Sequence, residues 1–88
     1  MIVRETVRYR RDAAVLLAER DDVETAIALL LKLSDQLAEF PLSGERYRGN
    51  IRRRYLPRLR AHVYYQYFPR AKRIDLLRLW PAYRDEVG

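Results

Sequence analysis

The single histidine of this 88-residue chain, His62, stands in a stretch dense with arginine and tyrosine. Arg52, Arg53 and Arg54 precede it, Tyr64, Tyr65 and Tyr67 follow, and Arg78 lies in the next apolar segment. Metal-free cleavage of RNA needs a group to activate the 2′-OH, a cation over the charge developing on phosphorus, and an acid for the leaving oxygen. An imidazole with an ordinary pKa of about 6.5 can fill either proton role. Arg53, Arg54 and Arg78 can supply the cations. The same residue types have a second use, because tyrosine and arginine exposed on a sheet stack bases. The commoner role of a lone strand-end histidine is a hydrogen bond to its neighbours. Arg78, set among Leu76, Leu77, Leu79 and Trp80, needs a partner for its charge. Asp75 is the nearest acid in sequence, but on a regular strand it points to the opposite face. Arg78 therefore lies on an exposed sheet surface or meets an acid from elsewhere, a partner chain included. With no cysteine and one histidine, neither a metal centre nor a cofactor site is expected.

Charge distribution narrows the partners. Residues 1–45 carry six Lys/Arg against nine Asp/Glu, and residues 46–88 carry twelve against three. A half so one-sidedly basic predicts an anionic partner: nucleic acid, an acidic protein segment or a phosphate-rich assembly. Eighty-eight residues make a single domain, 1–88, and 34% charged residues leave it a thin core. No apolar run is longer than Ala26–Leu31, which is far too short to span a bilayer. Charges begin at Arg4, with no signal-type apolar stretch before them, so a cytoplasmic protein is expected.

The elements that must position these residues centre on a β-hairpin. His62–Phe68 and Ile74–Trp80 are rich in aromatic and β-branched residues and flank a polar insert, Pro69–Arg73. Ile2–Tyr9 reads as a first strand. Asp12 stands before a helix-forming run that stops at Arg20, and Asp21 with Glu24 resembles a capping box opening a second helix. Val23, Ala26, Ile27, Leu30, Leu33, Leu37 and Ala38 give that helix one wide apolar face, which ends before Pro41. Gly44 and Gly49 bracket a polar segment, and Ile51–Leu56 reads as a strand with Arg52 and Arg54 on one face and Arg53 on the other. The expected order is β-α-α-β-β-β. It describes an α+β two-layer domain, a helical hairpin on a four-stranded, mostly antiparallel sheet, with residues 81–88 as a loose tail. Val23, Ile27, Leu30, Leu37, Leu77 and Leu79 are the expected core between the layers.

That order, with certain residues, resembles the RelE/ParE superfamily of bacterial toxins. The likeness rests on Pro41 and Gly44 after the helical hairpin, Arg52-Arg53, the run His62 to Gln66, and Ile74 to Trp80 followed by Arg84-Asp85. It covers most of the chain. The family's usual histidine after the last strand falls on Pro81, and the first arginine of its Arg-Arg-Asp ending falls on Tyr83. RelE-like ribonucleases place two lysines on the second strand, an arginine opening the third, another after the fourth and a tyrosine near the end. Here the third-strand arginine becomes His62, the lysine positions fall near Arg53 and Tyr55, and Tyr83 and Arg84 supply the last two only in a shifted register. The incomplete set favours the ParE-like branch.

The resemblance implies the toxin of a type II toxin–antitoxin module that poisons DNA gyrase, with no chemistry of its own. Arg52, Arg53, Arg54, Arg78, Tyr83 and Arg84 would then meet the target. A cognate antitoxin with an acidic or amphipathic segment would neutralise the toxin in a hetero-oligomer, anchored by Leu56, Leu59, Arg78 and Trp80. The alternative it implies is a RelE-like, ribosome-dependent mRNA endonuclease using His62, Arg53, Arg54, Arg78, Tyr83 and Arg84. A non-toxic nucleic-acid-binding or regulatory module of the same fold is the third reading.

Overall fold

The computed structural model describes residues 1–83. Its elements are β1 (Ile2–Glu5), α1 (Val7–Ala18), α2 (Val23–Glu39), β2 (Glu45–Arg48), β3 (Ile51–Leu56), β4 (Ala61–Phe68) and β5 (Arg73–Pro81). The strands form one sheet in the order β1-β5-β4-β3-β2. β1 runs parallel to β5, and the other neighbours are antiparallel. The two-layer α+β architecture is as expected, but the sheet has five strands rather than four. Residues 84–88 of the expected tail lie outside the described residues. Within them Pro81 belongs to β5, and the Ala82 N–H donates to the Arg60 carbonyl at 2.8 Å, so this part of the tail is held. No helix of the described residues is long and apolar enough to cross a membrane.

The extra strand comes from the polar segment between the two glycines. Glu45–Arg48 pairs with β3 across the two-residue turn Gly49-Asn50, and Gly49 takes φ +51°, where a side chain is strained. At the other end of the chain, β1 stops at Glu5 rather than Tyr9. The Thr6 hydroxyl accepts from the Tyr9 N–H at 3.2 Å and donates to the Leu76 carbonyl at 2.8 Å. One side chain thus ends the strand, opens α1 and ties both to β5. Asp12 is therefore inside the helix and not its cap. The capping box expected at Asp21 and Glu24 is also replaced. α2 starts after Asp22, whose carboxylate is held by the Arg20 guanidinium at 2.7 and 3.0 Å. α2 ends, as expected, ahead of Pro41.

The core is one narrow row of each helix against one face of the sheet. Ala26, Leu30, Leu33 and Leu37 of α2 and Tyr9 and Leu16 of α1 are buried against Ala61, Val63, Tyr65, Ile74, Leu76 and Leu79. Leu30, Leu37 and Leu79 therefore fill the places expected of them. Val23 and Ile27 do not: they are 36% and 41% exposed. The apolar face of α2 is wider than the row that the sheet covers, and these two lie on its uncovered flank with Leu31. Leu77 is only half-buried, because it is the extra residue of a bulge: Tyr64 pairs with Arg78 and Tyr65 with Leu76.

A hydrogen-bonded latch joins the end of α2 to the middle of the sheet. Tyr65 on β4 is fully buried, and its hydroxyl donates to the Pro41 carbonyl at 2.8 Å while accepting from the Gly44 N–H at 2.9 Å. A Cβ on residue 44 would sit 2.7 Å from the Tyr65 ring and hydroxyl and 2.8 Å from the Arg53 carbonyl. Only glycine lets the chain pass so close.

Two stability measurements test this account. Leu30→Ala should lower the unfolding free energy by about 2–5 kcal/mol, whereas Ile27→Ala should cost less than about 1 kcal/mol. Equal shifts of the two urea midpoints would show that the buried row has been misplaced. Gly44→Ala should cost about 1–3 kcal/mol through overpacking against Tyr65. A variant as stable as the parent in the same titration would mean that the turn has room the structure does not give it.

Candidate functional site

The face of the sheet turned away from the helices collects most of the residues with chemical potential. On β4, Ala61, Val63 and Tyr65 point to the helices, so His62, Tyr64 and Gln66 point away. Register then assigns their neighbours. Tyr55 and Trp80 flank His62, Arg53 and Arg78 flank Tyr64, and Ile51 and Asp75 flank Gln66. Glu45 pairs with Arg53, and Arg4 pairs with Asp75. A second bulge, between Arg46 and Arg48, leaves Tyr47 as the extra residue and lets its ring meet Tyr64 edge-on at 4.9 Å. Tyr64 is consequently 4% exposed although no helix covers it.

Aromatic rings and guanidinium groups interleave across this surface. Tyr55 and His62 have ring centres 5.0 Å apart, and the guanidinium carbons of Arg48 and Arg53 each lie 5.2 Å from the centre of Tyr47. Arg78 lies 4.8 Å from the centre of Trp80. These distances are those of cation–π contact. Several of the charges are also paired. Glu45 holds Arg53, and Asp75 is shared by Arg4 at 3.3 Å and Arg73 at 2.9 Å.

Arg78 finds its partner in Asp12 of α1, through two bonds of 2.7 and 3.2 Å. The same carboxylate accepts the Leu79 N–H at 3.0 Å, on the stretch of β5 beyond its last residue paired with β1. Asp12 thus satisfies a bare strand edge and a half-buried cation together. The expectation that Asp75 points away from Arg78 is overturned. The bulge at Leu77 shifts the alternation by one, and both residues start from the same face.

His62 has lost the surroundings that favour its charged form. Burial, and then the neighbouring Arg53, push its pKa below the ordinary value, with Glu45 opposing. Its Nδ1 is buried with no hydrogen-bond partner among the described residues. The imidazole is therefore neutral at pH 7 and packed as a ring among rings. Among the described residues no partner on Nδ1 orients it as a catalyst.

Arg52 and Arg54 do not join this face, and Arg84 lies outside the described residues. Arg52 donates to the carbonyls of Gly44 at 2.8 Å and Leu42 at 3.4 Å, and Arg54 to Ser43 Oγ and Gln36 Oε1, both at 3.1 Å. Both belong to the helix side of β3, so the candidate catalytic set is split by the sheet. Of the expected partner anchors, Leu59 is core at 3% exposure, and Leu56 and Trp80 are half-buried. Leu59, Leu79, Trp80 and the exposed Tyr83 line a groove of about 300 Å³ against Val15 and Leu16 of α1.

Tyr47, Glu45 and Asp12 are site residues that sequence reasoning missed. The Gly49-Asn50 pair was the available signal for the first two, since such a dipeptide between extended segments marks a tight hairpin. No family model matches the chain, and no match is found among curated proteins.

The lowered pKa of His62 has a consequence for stability. Its folded pKa lies below its unfolded value of about 6.5, so the unfolded chain binds its proton first as the pH falls. The contribution of neutral His62 is complete above that pH and is lost as the pH falls through the folded pKa. Urea unfolding at about pH 7.5 and about pH 5.5 should show the parent losing more stability than His62→Gln over this window. Equal losses in parent and variant would exclude a depressed histidine.

Proposed function

We propose that this chain is the toxin of a type II toxin–antitoxin module, of ParE-like kind, which acts in the cytoplasm by binding DNA gyrase and is neutralised by a cognate antitoxin. Support comes first from topology. The helical hairpin covers one face of the sheet, β1 lies parallel beside the last strand, and the resemblance residues Arg53, His62 and Arg78 meet on the other face. The observation that carries the choice of a binding over a cleaving toxin is the state of those residues. Arg53 is held by Glu45, Arg78 is held by Asp12, and the buried Nδ1 of His62 has no hydrogen-bond partner among the described residues. RNA cleavage needs a proton donor for the leaving oxygen and a cation available to the developing charge. A surface of rings and neutralised guanidinium groups suits contact with a macromolecule better than it suits that reaction.

Induction of the free protein should halt growth with DNA breaks and an SOS response while mRNA stays intact. The test is gyrase supercoiling and cleavage with purified protein, run beside primer extension on translated mRNA. Arg53→Glu or Tyr83→Ala should weaken gyrase inhibition by about tenfold or more, the effect of losing one well-placed contact residue. Codon-positioned cuts that vanish in His62→Ala, with gyrase untouched, would install the ribosome-dependent endonuclease instead. A protein inert in both assays would point to the non-toxic module.

A further inference from the structure

On the open face Arg4, Arg53, Arg73 and Arg78 each have a carboxylate partner. On the helix side, Arg46 of β2 and Arg52 of β3 are direct cross-strand neighbours on the same face. Like charges placed so are destabilising unless something offsets them. Arg52 is bonded only to backbone carbonyls, and neither arginine has a carboxylate partner among the described residues. Arg54, the next residue on that face of β3, has only neutral partners as well.

The two arginines line a groove of about 530 Å³ with Leu42, Tyr67 and Pro69. Leu42 and Tyr67 also line the adjoining hollow, with Phe40 and Pro41. Phe40 and Leu42 are each 60% exposed. The surface is thus one apolar trough with a doubly cationic end. Glu39, the only carboxylate lining either part among the described residues, is at the apolar end.

We propose that this trough is a docking site for an extended acidic peptide segment of a protein partner, with apolar side chains on the Phe40–Leu42–Tyr67 wall and a carboxylate on Arg46 and Arg52. Charge complementarity selects the anion, because a bound carboxylate removes the repulsion between the arginines and takes charge-assisted bonds from them. The apolar wall selects a peptide over a nucleic acid. The rings suited to base stacking lie on the opposite face, while Leu42, Pro41 and Pro69 offer purchase to aliphatic side chains. The site does not rest on the toxin reading, since it lies across the sheet from Arg53 and His62.

The test uses the full chain and a short labelled peptide alternating leucine and glutamate, titrated by fluorescence anisotropy beside its leucine–glutamine counterpart and a single-stranded oligonucleotide. The acidic peptide should bind, and its glutamine counterpart should bind about tenfold more weakly or worse. Arg46→Glu should weaken the acidic peptide by about tenfold or more, and Leu42→Ala by about threefold or more. Both residues are exposed, so both variants should keep the parent's circular dichroism and melting behaviour. Arg58→Glu, the same charge change at an exposed position between β3 and β4, should leave the affinity within about twofold. Equal losses for Arg46→Glu and Arg58→Glu, or equal binding of both peptides, would overturn the site in favour of diffuse attraction. Oligonucleotide binding that Arg46→Glu abolishes, with the acidic peptide unbound, would overturn it in favour of nucleic acid.

Discussion

The fold depends on the hydroxyl of Tyr65, buried at the centre of the sheet and bonded on both sides to the chain that leaves α2. A buried phenol must be satisfied, and these two bonds satisfy it with backbone groups that would otherwise be orphaned at the end of a helix. The latch also fixes where the chain turns back into the sheet. Pro41 stops the helix, Gly44 passes in contact with the ring, and the next residue, Glu45, is the first of β2. From that point the register of β2 on β3 places Glu45 beside Arg53 and Arg46 beside Arg52. The pairing of Glu45 with Arg53 on one face and of Arg46 with Arg52 on the other follows from that turn.

Two bulges then decide which side chains share a surface. A strand alternates with period two, so one extra residue exchanges faces for everything beyond it. The extra Leu77 lets Leu76 and Leu79 both point into the core, while Arg78 and Trp80 join His62 on the open face. The extra Tyr47 lets an edge strand of only four residues cover the Tyr64 ring. Without them, Arg78 would be directed at the helices and Tyr64 would be bare. Both bulges lie where the paired face needs more than regular alternation can offer.

Asp12 shows how the helical layer serves the sheet beyond covering its core. β1 pairs with β5 only as far as Leu76, which leaves the far half of β5 with an open edge. A carboxylate reaching from α1 takes the Leu79 N–H and the Arg78 guanidinium together. That single residue completes an edge and neutralises the cation that the bulge has turned outward.

Periodicity and punctuation in the sequence alone determined the large elements. Apolar spacing marked α2, Pro41 its end, and aromatic runs around Pro69 the hairpin of β4 and β5, because these signals act within a few residues of the chain. The face assignments of Arg52, Arg53, Arg54, Tyr64 and Tyr65 were legible too, since no bulge interrupts those stretches. β2 was legible in principle from Gly49-Asn50, but its charged residues lack an apolar alternation. What only the tertiary structure decided is which neighbours arrive from far along the chain. Asp12 reads as a helix cap until β5 lies beside it, and Thr6 as a strand residue until Leu76 offers its carbonyl. Val23 and Ile27 have the right spacing for burial, yet the sheet beneath α2 is too narrow to reach them. Local spacing sets which residues share a row on a helix or strand, but the packed layers alone set how many rows are covered and which bulges are needed to fit them together.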